Sequence, residues 1–369
     1  MLVRQLWARG WRNLEPLDLR PSPRLTVLAG DNGQGKTNII EAVYYLATLR
    51  SFRTSHAPDL IQHAPVAVPA ARLRAAVTSQ GLDRQLEIEL APGVRTVALD
   101  GKPIRGAAAI FGAVSVVLFV PEDLLLPRAA PAARRRFLDL AVFNVERAYY
   151  REASAFQKVL RSRNMLLRRG RPDPVLLETY DEELARTGAR MIVRRRALVR
   201  ELGPRVQTFF KTLHGDLSVD LRYESATLTD ADAPEDKVAS ALLDGLRERH
   251  DLDERRRFTG FGPQTDDLAI HLSGRLAREH ASQGQLRSLV LALKLAELTN
   301  VEAVRGDAPV LLLDDVPSEL DPHRREFLFQ MIGSLSCQTI ISVADRTVVP
   351  SLPGRDDFDV AEGRVRPAV

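Results

Sequence analysis

Residues Gly30–Thr37 read GDNGQGKT and lie between an apolar run, RLTVLA, and a helical pattern, NIIEAVYYLA. Few short stretches constrain a fold as tightly. Glycines at 30, 33 and 35 allow backbone conformations that aim several N–H groups at phosphate oxygens. Lys36 is then placed to reach β- and γ-phosphates, and the Thr37 hydroxyl to ligate Mg²⁺. The helix expected to begin near Thr37 adds its positive N-terminal end. The chain must therefore contain an α/β lobe with this loop at a strand end, although many kinds of nucleotide-using protein share such a loop.

A magnesium site of this class needs a carboxylate at the end of a neighbouring buried strand. PVLLLDD supplies one: Val310–Leu313 read as the strand, Asp314 is placed to hold the metal largely through water, and Asp315 to polarise an attacking water. Alone, this run also reads as a capped core strand. Positions 36 and 314 lie on either side of most of the chain, so something large is inserted between two halves of one site.

The texture of the sequence agrees. Residues 1–122 read mostly as strands: RQLEIEL alternates as a half-buried strand should, and Asp100-Gly101 is a hairpin turn. FGAVSVVLFV (Phe111–Val120) reads as a buried strand, too short to span a bilayer. Residues 123–256 carry long Arg- and Glu-rich helical patterns broken near GRPDP, which suggests a helical hairpin. From 257 to 369 strands return as DDLAIHL, PVLLLDD and QTIISV, with a helix, QLRSLVLALKLAEL, among them. The expected architecture is an α/β lobe built from 1–122 and 257–369, with a mainly helical lobe inserted.

That helix follows Ser282-Gln283-Gly284-Gln285, whose hydroxyl, backbone N–H groups and helix end suit an anion. A plain serine cap explains the same residues. SELD (Ser318–Asp321) follows the aspartate pair.

Among 369 residues there is one cysteine, Cys337, which excludes internal disulfides and a cysteine-rich metal site. No signal-peptide core opens the sequence, so a soluble, cytoplasmic protein is expected. Net charge is only +4. Arginines nevertheless cluster at 134–136, 161–169, 194–196 and 255–257, which either builds a phosphate-binding field or decorates solvated helix faces.

The ordered set of phosphate loop, SQGQ, Asp-ended strand and SELD resembles the ATP-binding-cassette ATPase superfamily. Within it the chain is most similar to the RecF family of recombination-repair proteins. WRNL (Trp11–Leu14), GDNGQGKTNIIEA, RSFRT (Arg50–Thr54), PEDLLL (Pro121–Leu126), RRRFLD (Arg134–Asp139), RSRNMLL (Arg161–Leu167), GPQTDDL (Gly262–Leu268), SQGQLRSLVLALKLAE and LLLDDVPSELD carry the likeness. The resemblance implies a cassette-type ATPase head: a lobe with a mixed, largely parallel core sheet and antiparallel strands, and a helical second lobe.

It further implies head-to-tail dimers in which Ser282, Gly284 and Gln285 of one copy contact the γ-phosphate held by the other. Arg12, Asp31, Asn32, Gln34 and Asn38 would lie near the nucleotide with Gly30, Gly33, Gly35, Lys36 and Thr37, and Asp321 in the interface loop. Lys36, Asp314, Asp315 and Ser282 would support a weak, DNA-stimulated ATPase. ATP and Mg²⁺ are the implied cofactors. Double-stranded DNA, single-/double-strand junctions and gaps are the implied nucleic-acid partners. RecR and RecO are the implied protein partners, in loading RecA and in the DNA-damage response.

Departures from the family pattern matter. Gln264-Thr265 stands where His-Arg is usual, and ISVADR (Ile341–Arg346) offers no switch histidine. FVPEDL has no lobe-junction glutamine. Asp315 replaces the glutamate of transporter cassettes and reaches one methylene less far. These changes fit a slow switch better than a fast motor, and they argue against a transporter subunit. A chromosome-maintenance clamp needs longer coiled-coil arms than the insertion allows, whereas a nucleotide-gated scaffold without hydrolysis fits the same residues. For DNA the expected contacts are Arg134, Arg135, Arg136, Arg161, Arg163, Arg168 and Arg169, made to phosphates with little sequence preference.

Overall fold

The structure is a computed structural model that describes residues 1–63, 68–105, 110, 113–170, 172–227, 230 and 232–368. The chain forms two compact units, Met1–Leu124 with Leu293–Val369, and Leu125–Ala292. The first unit begins with β1 (Leu2–Arg9), β2 (Leu17–Leu19), β3 (Leu25–Ala29) and α1 (Lys36–Thr48). It continues through β4 (Ala71–Ser79), β5 (Leu82–Ala91), β6 (Val94–Leu99), β7 (Lys102–Pro103) and β8 (Val116–Phe119). The second unit holds α2 (Pro131–Val145), α3 (Arg147–Arg169), α4 (Pro174–His214), β9 (Val219–Glu224), α5 (Glu235–Glu248) and α6 (His250–Arg256). There follow β10 (Asp267–Leu272), β11 (Arg275–Leu276), α7 (Ala277–His280) and α8 (Gln283–Arg305), which crosses the division. The first unit then closes with β12 (Val310–Asp314), α9 (Val316–Glu319), α10 (Pro322–Ser334), β13 (Thr339–Val343), β14 (Arg355–Ala361) and β15 (Arg364–Pro367).

Two sheets build the first unit. One is antiparallel, in the order β2-β1-β4-β5-β6-β7. Along β4 the odd positions from Ala71 are buried and the even ones are not, the period-2 pattern of a sheet covered on one face. Asp100 (φ 53°) and Gly101 (φ 72°) turn β6 into β7, the positive-φ pair that a two-residue hairpin requires.

The other sheet runs β15-β14-β3-β13-β12-β8 and is parallel except for β15. Every residue of β3, β12 and β13 is buried, as expected of Val/Leu/Ile-rich strands covered on both faces. Among the described residues of the apolar run Phe111–Val120, Val116–Phe119 form strand. Phe111 and Gly112 lie outside the described residues.

In the second unit α3 and α4 form the expected helical hairpin, of 23 and 41 residues. Gly170 (φ 73°) ends α3, and Asp173 caps α4 by accepting from the Val175 and Leu176 amides. The insertion reaches further than Arg256, where the sequence placed its end. β10 pairs along its whole length with β9, from Asp267↔Glu224 to Leu272↔Val219, and residues up to Ala292 belong to the second unit. An alternating strand announces itself in sequence, but its partner does not. No helix among the described residues is long and apolar enough to cross a membrane.

Candidate functional site

In a parallel sheet, loops at the carboxyl ends of neighbouring strands converge on one crevice. Here β3 runs into the Gly30–Gly35 loop, β12 ends at Asp314, and β13 lies between them, with Ser342 in register with both Asp314 and Leu28. The loop's conformation is one that only glycine adopts comfortably. Gly35 (φ 114°) precedes α1, and a Cβ on Gly30 would meet the Val360 carbonyl oxygen at 2.1 Å.

Lys36 curls back over the loop, its Nζ donating to the Gly30 and Asp31 carbonyls at 2.6 and 2.8 Å. Burial lowers its pKa, and the nearby Asp315, Asp314 and Asp31 carboxylates only partly offset this. Thr37 Oγ1 donates to Asp314 Oδ1 at 2.9 Å, and the buried Ser342 hydroxyl donates to the same oxygen at 2.6 Å. Burial pushes the Asp314 carboxyl upward against the pull of those two hydrogen bonds, and Asp315 adds to the rise. Asp315 itself sits in the left-handed region (φ 55°), and Ser318 Oγ donates to its Oδ1 at 2.8 Å. Lys36, Thr37, Asp314 and Asp315 are thus brought together across most of the length of the chain.

Arg12 is held against α1, the helix that follows the loop. Its Nε and Nη2 form a fork on Glu41 of α1, both at 2.8 Å, and Nη1 donates to the Asp59 carbonyl at 2.8 Å. Glu41 is fully buried and also accepts from Ser51. Arg53 Nη1 bonds Asn38 Oδ1 at 2.7 Å, and Asn38 in turn donates to Asn13 at 2.6 Å. Asn13 donates to the Gly33 carbonyl at 3.3 Å. On the other side of the loop, the Glu362 and Gly363 amides donate to Gln34, at 2.6 Å to its side chain and 2.9 Å to its carbonyl. The loop is therefore braced by the WRNL segment, by RSFRT and by the β14–β15 turn. Asp31 and Asn32 lie on its exposed rim.

Glu41 and Ser342 were missed from sequence. An acid inside the apolar helix NIIEAVYYLA was a usable signal for Glu41; a serine in a buried strand was none for Ser342. Asp321 caps α10 through the Arg324 amide and pairs with the Arg324 side chain. That pairing holds its carboxyl below the usual range despite burial.

In the second unit Ser282 and Gln285 form a reciprocal capping box. The Ser282 amide donates to Gln285 Oε1 at 2.8 Å, and the Gln285 amide to Ser282 Oγ at 3.2 Å. The plain cap is thus real, and Gly284 lies within the first turn of α8.

The seven arginines expected on DNA separate sharply. Arg163 is wholly buried, with Nε on Asp181 at 2.5 Å and Nη1 on Asp253 and Thr259 at 2.8 and 2.9 Å. Arg134 is buried and forks onto Asp267 at 2.7 and 2.6 Å. Neither side chain can reach a phosphate, which corrects the sequence reading for both. The half-buried Arg135 donates to the Asp266 carbonyl at 2.7 Å. Arg136, Arg161, Arg168 and Arg169 are exposed.

The Gln264-Thr265 substitution is accommodated locally. Thr265 Oγ1 donates to the Gly262 carbonyl at 2.7 Å and Gln264 Nε2 to the Phe261 carbonyl at 2.9 Å.

A phosphate loop on β3, beside an Asp-ended strand in a largely parallel sheet with an antiparallel sheet in the same unit, defines an ATP-binding-cassette-type ATPase head. Solved heads share that fold: the Smc head domain of Pyrococcus furiosus aligns with 99% of the chain and 95% of its own at a TM-score of 0.59 and 14% identity. The family model described as "RecF/RecN/SMC N terminal domain" matches residues 2–352. The chain is 41% identical over 373 residues to the DNA replication and repair protein RecF of Anaeromyxobacter sp. (strain Fw109-5), covering all of both. It is 40% identical over 371 residues to that of Myxococcus xanthus, covering 99% of this chain and 97% of the relative. A solved structure of the recombination mediator protein RecF-ATPrS in the RecFOR pathway superposes over the whole chain and 98% of its own, with a TM-score of 0.92 at 28% identity. This chain belongs to the RecF family.

Proposed function

We propose that the chain is an ATP-gated DNA-binding protein of recombinational repair, whose dimer closes on gapped or junction DNA and reopens on slow hydrolysis. The observation that carries this reading is the Thr37–Asp314–Ser342 arrangement beneath a buried lysine. The structure described as RecF-ATP, at a TM-score of 0.90, supports ATP as the nucleotide. The donor set suits a hard divalent cation: two oxygens 2.9 Å apart, one on a carboxylate whose charge burial disfavours. Mg²⁺ would be held by Thr37 and, through water, by Asp314, and would neutralise phosphate charge.

The chain's own residues do the rest. Lys36 exchanges two carbonyl partners for phosphate oxygens, and the Gly30–Gly35 amides and the start of α1 hold the remaining phosphate charge. Asp315, fixed by Ser318, orients the attacking water with a short side chain, which keeps hydrolysis slow. The Ser282–Gln285 cap of a second copy presents α8 to the γ-phosphate, and Asp321 lies in the loop that meets it. ATP favours the dimer by as much as it binds the closed state more tightly. RecR and RecO are the expected partners in delivering RecA.

Solution mass by light scattering tests this on wild type, Lys36→Met and Ser282→Arg, with and without ATP. Only wild type with ATP should double its mass. A wild type that binds ATP yet stays monomeric on gapped DNA would remove the gating mechanism and leave a nucleotide-bound scaffold.

A further inference from the structure

Helix α3 carries a charge pattern that the nucleotide site does not use. Arg151, Ser154, Lys158, Arg161, Met165 and Arg168 recur at intervals of three or four residues, and every one is exposed. At 100° per residue they share one face of the helix, and Arg169 flanks it. From Arg151 to Arg168 the row is about 26 Å long. Glu152, the only carboxylate in α3, is half-buried and held by Arg194 at 2.6 Å. Among the described residues none of the five cations makes a side-chain hydrogen bond or an ion pair.

The neighbouring helix shows what an ordinary arginine face looks like in this unit. On α4, Arg186 pairs with Glu183, Arg190 with Glu235, Arg194 with Glu152 and Arg200 with Asp232, while Arg196 donates to the Ala233 carbonyl and, among the described residues, Arg196 and Arg205 make no ion pair. The first four each have a carboxylate. Among the described residues the α3 row has none within ion-pair distance, and a polyanion would relieve its mutual repulsion.

We infer that this outer face of α3 is a track for the sugar–phosphate backbone of duplex DNA. The inference rests on the DNA-binding function proposed above and gives that function a surface. A protein partner of ordinary affinity would need a buried apolar or aromatic centre, and the row offers only Met165, 53% exposed. Single-stranded nucleic acid would call for aromatic platforms, and the row contains no aromatic side chain. What remains is charge in a straight line. About 26 Å spans roughly eight base pairs along a duplex axis. Such a contact reads no sequence and draws its free energy from released counterions.

The test measures duplex affinity against salt, with ATP present, for wild type, the triple variant Arg151→Gln/Lys158→Gln/Arg161→Gln and the single variant Arg168→Gln. Each lost phosphate contact should reduce the slope of log K against log salt by about 0.9. The triple variant should therefore lose roughly two to three units of slope and bind about tenfold more weakly, or worse, at roughly 100 mM salt. Arg168→Gln should lose about one unit, alike on unrelated sequences. Thermal melting and ATP binding of both variants should match wild type, since these side chains hold nothing in place. If wild type binds DNA and the triple variant keeps the same slope, the track is wrong although the function stands. If wild type with ATP binds no DNA at any salt, the function itself fails first.

Discussion

Arg163 and Lys36 are both buried cations, yet their surroundings differ in kind. Arg163 faces two carboxylates, Asp181 and Asp253, and a hydroxyl, all supplied by its own unit. Lys36 faces two backbone carbonyls, while the aspartates that would suit it stand nearby without bonding it. The first centre is closed by direct ion pairs: removing Arg163 leaves two buried carboxylates without its charge. The second is provisional: its partners are weak enough to exchange for a ligand's oxygens. Burial of charge therefore does two jobs in this protein, and the quality of the partner tells them apart.

The two centres should differ most when the arginine is removed. Arg163→Met should cost about 3–5 kcal/mol of stability, because two buried carboxylates lose their counter-charge. Urea unfolding of the full chain measures it. Adding Asp181→Asn and Asp253→Asn should recover most of the loss, since the stranded charge is then gone. A loss below about 1 kcal/mol would mean that the centre is not closed after all.

Asp314 tests the provisional centre and should behave in the opposite way. Its carboxyl titrates above the usual 3.8 in the fold. Ionising it therefore costs stability as pH rises from the unfolded value through the folded one. Asp314→Asn should match wild type at acid pH, below both values, and be the more stable of the two at neutral pH. Thermal melts from acid to neutral pH without nucleotide measure this. A variant less stable than wild type at neutral pH would place Asp314 with Arg163 as a structural charge.

Ser342→Ala probes the smallest element. It removes one hydroxyl donor to Asp314 and leaves Thr37 in place. A loss of about 1 kcal/mol is expected, seen as roughly fivefold slower ATP turnover with the fold intact. Unchanged turnover would mean that Thr37 alone orients the carboxylate.

The same contrast explains how much could be read from sequence. The phosphate loop and Asp314 were legible because each is a local pattern, glycines at fixed offsets and an apolar strand ending in acid. Their convergence followed from the rule that parallel strands share one functional edge. The arginines were not legible. Arg161 and Arg163 are two residues apart with the same chemistry, and only helix phase together with the distant Asp253 and Thr259 separates surface from core. The extent of the insertion failed for a related reason: DDLAIHL looks like any half-buried strand until β9 claims it. Ser342 needed the register of three strands, which no single segment encodes.

Strand order in the parallel sheet bears on how such a chain is made. β3 is flanked by β13 and β14, strands contributed from beyond Gln338. During translation the phosphate loop leaves the ribosome early, with its two supporting strands still unsynthesised. At roughly 5–20 residues per second, the interval between the end of the first segment at Leu124 and the arrival of β13 is on the order of 10–40 s. Residues 125–292 form a compact unit of their own and are all made within that interval, before the strands that flank β3 on either side. Both strands that flank the phosphate-loop strand are thus made after the inserted unit, so a chain ending before Thr339 would lack both neighbours of β3.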